Sequence, residues 1–255
     1  MFANERHEQI SNLIKRDGSV TVTQLTELFG VSIETVRRDL CFLEECGRLC
    51  RVHGGAISNK KMHRHFTLKE RLCENVKQKQ DICRMAMQFI CENDSIFIDS
   101  GSTALEFAAV LRDSFEALTV VTNSPDVCSV LFDNAGFNII MPGGSYYREE
   151  HSFAGAMAVE SLKALHVSKA FVFPSAVSDK GELSIDFEPM YGFWKAALSI
   201  ADKTYVLADS SKLSQTGLYK VAGAQEYTAL ITDSGISEAT ATALREADIK
   251  LITEG

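Results

Sequence analysis

The sequence predicts a two-part α/β protein, a small helical module with a short β-ribbon followed by a larger three-layer α/β domain. Three observations carry that expectation. The chain has 255 residues, long for one average domain and short for three. Its first part shows short amphipathic helical stretches broken by turn signals. The remainder repeats short apolar runs separated by helical patterns, as strands covered on both faces and joined by crossover helices do. Apolar residues make up 45% and charged residues 24%, with 16 Gly and 4 Pro, which excludes a collagen-like or disordered chain. No stretch approaches the ~18 uninterrupted apolar residues of a membrane span. The polar start Met1-Phe2-Ala3-Asn4-Glu5-Arg6-His7-Glu8 lacks the apolar core of a signal peptide, so a cytoplasmic protein is expected.

Along the first part, Ile10, Leu13 and Ile14 recur at helical spacing between Glu5 and Arg16, until Asp17-Gly18 breaks the run. Val20-Thr21-Val22 leads to Thr23, read as the N-cap of a second helix with Leu25, Leu28 and Phe29 on one side and Gly30 at its end. Ser32 caps a third helix with an apolar stripe of Ile33, Val36, Leu40 and Leu43, which leaves Glu34, Thr35, Arg37 and Arg38 on a free polar face. This is the pattern of a helix-turn-helix over residues 20–39, whose second helix fits the major groove of double-stranded DNA. Ser32, Thr35, Arg37 and Arg38 are the candidate contacts, because arginine reads guanine edges and hydroxyls position the phosphate backbone. After Gly47, the segment from Arg48 to Ile57 places Arg51 and His53 on one side before a Gly54-Gly55 turn, a β-wing that adds both to the DNA contacts. The alternative is an ordinary small bundle in which Arg37 and Arg38 pair with Asp39, Glu44 or Glu45.

Charge divides the chain in the same way. Residues 1–65 hold ten Lys/Arg against eight Asp/Glu, while 66–255 hold 16 against 26, so a mildly basic module precedes an acidic body. A polar, basic linker is expected over 59–74, between a DNA-binding domain at 1–58 and an α/β domain at 75–255.

The large domain opens with a helix from about Val76, carrying Ile82, Met85, Ala86, Phe89 and Ile90. Seven strands are expected near residues 96–98, 118–121, 138–141, 170–173, 205–208, 230–232 and 249–252. Ligands of such sheets bind beyond the carboxyl ends of the strands. There the sequence places Asp99-Ser100-Gly101-Ser102-Thr103, Thr122-Asn123-Ser124-Pro125, Pro142-Gly143-Gly144 and Asp209-Ser210-Ser211-Lys212. Gly101 permits a tight turn, and the N–H groups and hydroxyls of Ser102 and Thr103 at a helix start can surround a phosphate. Lys212 supplies countercharge, while Asp99 and Asp209 accept from sugar hydroxyls, so a phosphorylated polyol fits. The turn chemistry of Gly and Ser is the bland reading of each loop alone.

Seven cysteines, at 41, 46, 50, 73, 83, 91 and 128, include no Cys-x-x-Cys pair and read as reduced, mostly packed thiols. Cys41, Cys46 and Cys50 form a weak metal or oxidation motif, and His63 with His65 a weaker metal clip; neither calls for a metal.

The stretches Glu5-Arg6-His7, Val31-Ser32-Ile33-Glu34-Thr35-Val36-Arg37-Arg38-Asp39-Leu40 and Arg51-Val52-His53-Gly54-Gly55-Ala56 resemble the amino terminus of DeoR-family bacterial transcription regulators. Asp99 to Thr103, Val121 to Ser124, Gly143-Gly144 and Leu207 to Lys212 are similar to the sensor domain of that family. The resemblance implies a winged helix-turn-helix and an α/β domain related to ribose-5-phosphate isomerase and glucosamine-6-phosphate deaminase that binds sugar phosphates without turnover. It departs from the family at two places. Phe173-Pro174-Ser175-Ala176 stands where relatives usually have Gly-Ala-Ser-Gly, and Phe187 to Lys195 stands where they carry Glu-Ala-x-Val-Lys. Without a gap Met190 and Trp194 replace that Glu and Lys; with a shift Glu188 or Lys195 substitutes.

The function expected is therefore a DNA-binding regulator, a repressor of a carbohydrate-catabolism operon. A phosphorylated sugar or sugar acid modulates it, it acts as a homo-oligomer (dimer or tetramer), and it needs neither catalysis nor a cofactor. The competing expectation is a sugar-phosphate isomerase or deaminase with an appended DNA module, using Asp99, Glu188 and Lys212 as acid–base groups. The catalytic carboxylate constellation of such an enzyme is not visible in the sequence.

Overall fold

In the computed structural model, which describes residues 3–17, 19–46, 48–52, 54–58 and 68–253, the chain divides into two units, Met1–Glu74 and Asn75–Gly255. The first unit runs α1 (Ala3–Asp17), β1 (Ser19–Thr21), α2 (Val22–Phe29), α3 (Ile33–Glu45), β2 (Leu49–Val52), β3 (Gly55–Ser58) and α4 (Leu68–Leu72). Its core is Ile10 and Ile14 from α1, Leu25 from α2, Val36, Leu40 and Leu43 from α3, and Leu49 from β2. The three strands form an antiparallel sheet in the order β1-β3-β2, so the wing hairpin gains a third strand from the segment before α2.

That third strand corrects the expected start of the second helix. Thr21, not Thr23, is the N-cap: its side chain accepts from the Gln24 N–H at 3.1 Å while Gln24 Oε1 accepts from the Thr21 N–H at 2.9 Å, a reciprocal capping box. Gly30 closes α2 in the left-handed region, φ 62°, and Ser32 caps α3 by accepting from the Thr35 N–H at 3.2 Å. Ile33 is also corrected: it is 50% exposed, because it occupies the first helical position of α3, away from the centre of the stripe. Asp39 replaces it on the buried face. Its carboxylate accepts from Arg6 at 2.7 and 3.0 Å and meets His7 Nε2 at 2.9 Å, tying α1 to α3. Of the segment expected as linker, residues 59–67 lie outside the described residues, and 68–72 form α4 with Leu68 and Glu70 buried. An apolar residue at each end of Leu68-Lys69-Glu70-Arg71-Leu72 is too short a signal to reveal it.

The second unit continues with α5 (Val76–Ala86), β4 (Ser95–Ile98), α6 (Ser102–Ser114), β5 (Leu118–Thr122), α7 (Pro125–Leu131), β6 (Phe137–Ile140), β7 (Ser145–Tyr147), β8 (Ser152–Ala154), α8 (Ala156–Lys163) and β9 (Val167–Val172). Then come β10 (Ala176–Val177), β11 (Leu183–Ile185), α9 (Tyr191–Ser199), β12 (Ala201–Leu207), β13 (Tyr219–Ala222), β14 (Ala229–Ile231), α10 (Glu238–Glu246) and β15 (Leu251–Ile252). A seven-stranded parallel sheet, in the order β15-β14-β12-β9-β4-β5-β6, contains every strand expected from the apolar runs.

Successive side chains of each strand go to opposite faces and build two cores. Ile96, Ile98, Phe171, Tyr205, Leu207, Ala229 and Ile231 pack against α5, α6 and α7. Phe97, Ala170, Val172, Val206 and Leu230 pack against α8, α9 and α10. Three layers result, and each large side chain such as Phe97 or Phe171 contributes about 1.5–3 kcal/mol of burial. Two further sheets escape the apolar-run signal, the hairpin β7–β8 and the antiparallel β10-β11-β13. Their strands are two to four residues long and interrupted by Ser145, Ser152, Ser184 and Lys220.

Candidate functional site

Two sites stand apart in the chain, and each belongs to its own unit. In the first, α3 presents Arg37 and Arg38, both exposed, one turn beyond the cap that holds Ser32 and Thr35 together. Arg37 approaches Glu34 at 3.8 Å, an exposed contact too long to neutralise it. The pairing proposed by the bundle alternative does not form with Asp39, whose buried carboxylate is taken by Arg6 and His7. Burial pushes the Asp39 carboxyl up, but the Arg6 and His7 bonds outweigh it and hold the group below the ordinary carboxylate range. Glu44 is also spoken for: Arg51 on β2 donates to it from Nε at 3.1 Å and from its backbone N–H at 2.8 Å, so the wing arginine is anchored to α3. His53 lies outside the described residues, as do His63 and His65.

In the second unit, the predicted loops all sit at the carboxyl ends of parallel strands. β4 ends at Ile98, which pairs with Thr122 of β5, so Asp99 and Asn123 leave neighbouring strands side by side. Gly101 is the N-cap of α6 with φ 121°, a conformation closed to ordinary side chains, and it aims the first N–H groups of a 13-residue helix at the loop. Ser102 is buried and Thr103 half-buried there. Gly144, φ 139°, passes so close to β8 that a Cβ would lie 2.6 Å from the Ala154 carbonyl oxygen, whereas Gly143 faces open space.

Several predicted ligand groups turn out to brace the loops. Thr122 Oγ1 accepts from the Ser124 N–H at 3.2 Å, and Ser124 Oγ caps α7 through the Val127 N–H at 3.3 Å. Asp209 Oδ1 accepts from Asn75 Nδ2 and the Ser211 N–H, each at 3.1 Å, as well as from the Ser211 hydroxyl. Asp233 ties the same loop from the other side, accepting from the Ser210 N–H at 2.7 Å, Ser210 Oγ at 2.9 Å and the Gly235 N–H at 3.0 Å. Lys212, at the end of that braced turn, is half-buried.

Sequence reasoning missed Lys79. It is 4% exposed, on the α5 stripe shared with Ile82, Cys83 and Ala86. One turn later Cys83 Sγ donates to the Thr103 carbonyl at 3.6 Å, which brings this face of α5 to the start of α6. Lysines are rarely buried without a counter-group, so a lysine in phase with an apolar stripe was the signal. Asn75, which opens α5 and reaches both Asp209 and Ser211, was missed as well.

At the departure from the family, Glu188 is exposed and Lys195 forms an exposed pair with Glu226 at 3.5 Å, while Met190 and Trp194 are buried. The gapless alignment is thus the one that fills the interior. A cleft of about 760 Å³ also opens between α5 and the ends of β14 and β15, lined by Asp81, Arg84, Met85, Gln88, Asp233, Ser234 and Thr253; it includes none of the predicted ligand residues. Cys46, Cys83 and Cys128 are packed, whereas Cys91 is exposed and Cys41 and Cys73 are partly buried; burial pushes Cys46, beside Cys73, up to about 12 and Cys128 up to about 11, so neither is ionised near neutrality. Among the described residues no group of three or more His, Cys, Asp or Glu side chains could hold a metal ion, and no helix is long and apolar enough to cross a membrane.

Two family models match the chain. Residues 6–62 match the DeoR-like helix-turn-helix domain and residues 74–234 the DeoR C terminal sensor domain. The chain is 33% identical to the uncharacterized HTH-type transcriptional regulator YulB of Bacillus subtilis strain 168, over 98% of this chain and 96% of that protein. It is 34% identical to the lactose phosphotransferase system repressor of Lactococcus lactis (93% of each) and 29% identical to the L-fucose operon activator of Haemophilus influenzae (92% and 94%). Among solved structures, ribose 5-phosphate isomerase A from Methanocaldococcus jannaschii aligns over 55% of each chain at 17% identity, with a TM-score of 0.42.

Proposed function

The chain belongs to the DeoR family of transcriptional regulators, and on that premise we propose that it is a cytoplasmic repressor of a carbohydrate-catabolism operon. It grips operator DNA through α3 and the wing, and a phosphorylated sugar or sugar acid at the sheet's carboxyl edge changes that grip. The observation that supports this most is the placement of charge: an exposed arginine pair in one unit, and enclosed loops around a helix N-terminus, with Lys79 buried beside them, in the other. The first arrangement suits a polyanion met at a surface; the second suits a small anion that must be enclosed.

In mechanism, Arg37 and Arg38 take phosphates or base edges, and Arg51 follows the backbone from its tether on Glu44. The effector seats its phosphate on the first turn of α6, with Lys79 and Lys212 supplying positive charge. It acts only through unequal affinity for DNA-competent and DNA-incompetent conformations, and a homo-oligomer, dimer or tetramer, turns that difference into the spacing of its helices on half-sites. Catalysis has no part in this reading: of the acid–base candidates Asp99, Glu188 and Lys212, Glu188 stands exposed, away from an enclosed reacting centre.

The test is a Thr103→Glu substitution. It places a negative charge where the phosphate would sit, and should leave operator binding intact while abolishing the ligand response. A normal ligand response in that variant removes the α6 loop from the site.

A further inference from the structure

We propose that Ile33 is a base-reading residue of α3, its side chain packing on the C5-methyl group of a thymine in the major groove of the operator. The proposal rests on the reading above, that α3 grips operator DNA, and narrows that grip to one side chain and one kind of base.

The cap and first turn of α3 carry Ser32, Ile33, Glu34 and Thr35. Ser32 and Thr35 are largely occupied with each other: their hydroxyls share a hydrogen bond at 2.9 Å, and the Thr35 N–H donates to Ser32 Oγ at 3.2 Å. Ile33 lies between them in the chain with half its surface in solvent, outside the cluster of Val36, Leu40 and Leu43 that anchors the helix. Glu34 is exposed beside it and approaches Arg37 at 3.8 Å. An exposed apolar side chain is ordinary by itself. Here it falls on the N-terminal end of the second helix of a helix-turn-helix, the end whose residues meet base edges when such a helix docks.

A branched apolar side chain has nothing to offer a phosphate, and it exchanges no hydrogen bond with the polar edges of guanine, adenine or cytosine. Thymine alone among the four bases presents an apolar group in the major groove, its C5-methyl. Glu34 argues the same way for this turn, since a carboxylate is repelled by phosphate but accepts from the amino groups of base edges. Arg37 and Arg38, one turn on, supply the positive charge that this end of the helix lacks. Ile33 is also β-branched, and in a helix such a side chain keeps one preferred χ1 rotamer, so the contact orders little that was free. Covering one methyl group is worth about fourfold in affinity.

Anisotropy titrations of the full chain against two forms of one labelled fragment from upstream of its own gene test this. The forms are identical in sequence, with thymine in one and uracil in the other, which removes only the methyl groups. The wild type should bind the uracil form about fourfold or more weakly. Ile33→Ala should bind the thymine form more weakly by a similar factor and lose most of the discrimination, at an unchanged melting temperature because the side chain is exposed. Equal binding of both forms by the wild type, or discrimination that survives in Ile33→Ala, overturns the contact and leaves the DNA-binding reading standing. A thymine form bound no better than unrelated DNA overturns the two together.

Discussion

The two candidate sites of this chain are built in opposite ways. On α3 the cations stand in solvent, and the polar group that matters for their placement, Asp39, is buried beneath them and satisfied by Arg6 and His7. At the sheet edge the polar groups are themselves buried, and much of their hydrogen bonding is spent on one another: Thr122 on Ser124, Asp209 on Asn75 and Ser211, Asp233 on Ser210. Recognition of a duplex needs a rigid support and free charge above it. Recognition of a small anion needs a pre-shaped enclosure, and the hydroxyls and carboxylates that shape it are not all free to touch the ligand.

Five substitutions probe that contrast, beginning with the largest effect. Asp39→Asn leaves the Arg6 guanidinium buried beside a neutral amide and should cost about 3 kcal/mol of unfolding free energy in denaturant melts. The native carboxyl titrates below its unfolded value, so its contribution is fully present above about pH 4 and lost as pH falls through the folded value. The wild type should therefore lose its advantage over Asp39→Asn on acidification, and an advantage independent of pH would refute the anchoring role. Arg37→Ala or Arg38→Ala should leave the melting temperature unchanged while weakening operator binding by about 1–3 kcal/mol, with the salt slope reduced by about one for a phosphate contact. Loss of stability with intact DNA binding would make them bundle residues after all.

Ser124→Ala removes the cap of α7 and should cost about 1 kcal/mol in stability. If the ligand response vanishes with no change in stability, Ser124 is a ligand contact and not a brace. Smallest is Lys195→Ala, which breaks an exposed pair with Glu226 and should change stability by less than about 0.5 kcal/mol without altering the effector response. A lost response would return Lys195 to the pocket.

The seven central strands were legible because residues such as Ile96-Phe97-Ile98 and Tyr205-Val206-Leu207 must be apolar on both sides, and a continuous run is hard to mistake. Helix α3 and its cap were legible from Ser32 and the periodicity of Val36, Leu40 and Leu43. The short strands of β10-β11-β13 were not, since burial by partners distant in sequence leaves no local period. Nor was Asp39, because a charge on an apolar stripe looks like a break in the pattern until its counter-group is known; Lys79 was legible in its phase with Ile82, Cys83 and Ala86 but was passed over. The split of the sheet-edge residues into braces and contacts was beyond the sequence for the same reason: a serine at a strand end reads alike whether it caps a helix, as Ser124 does, or meets a ligand.

Fluorescence anisotropy of the full chain with a labelled fragment from upstream of its own gene, titrated at fixed salt with and without 4-phosphoerythronate, erythrose 4-phosphate, 6-phosphogluconate and glucose 6-phosphate, tests the coupling between these regions most directly. At least one compound should shift the apparent Kd by about fivefold or more, and Thr103→Glu should remove that shift while leaving binding in its absence unchanged. An affinity that none of the compounds alters, or one no greater than for unrelated DNA, would contradict the account.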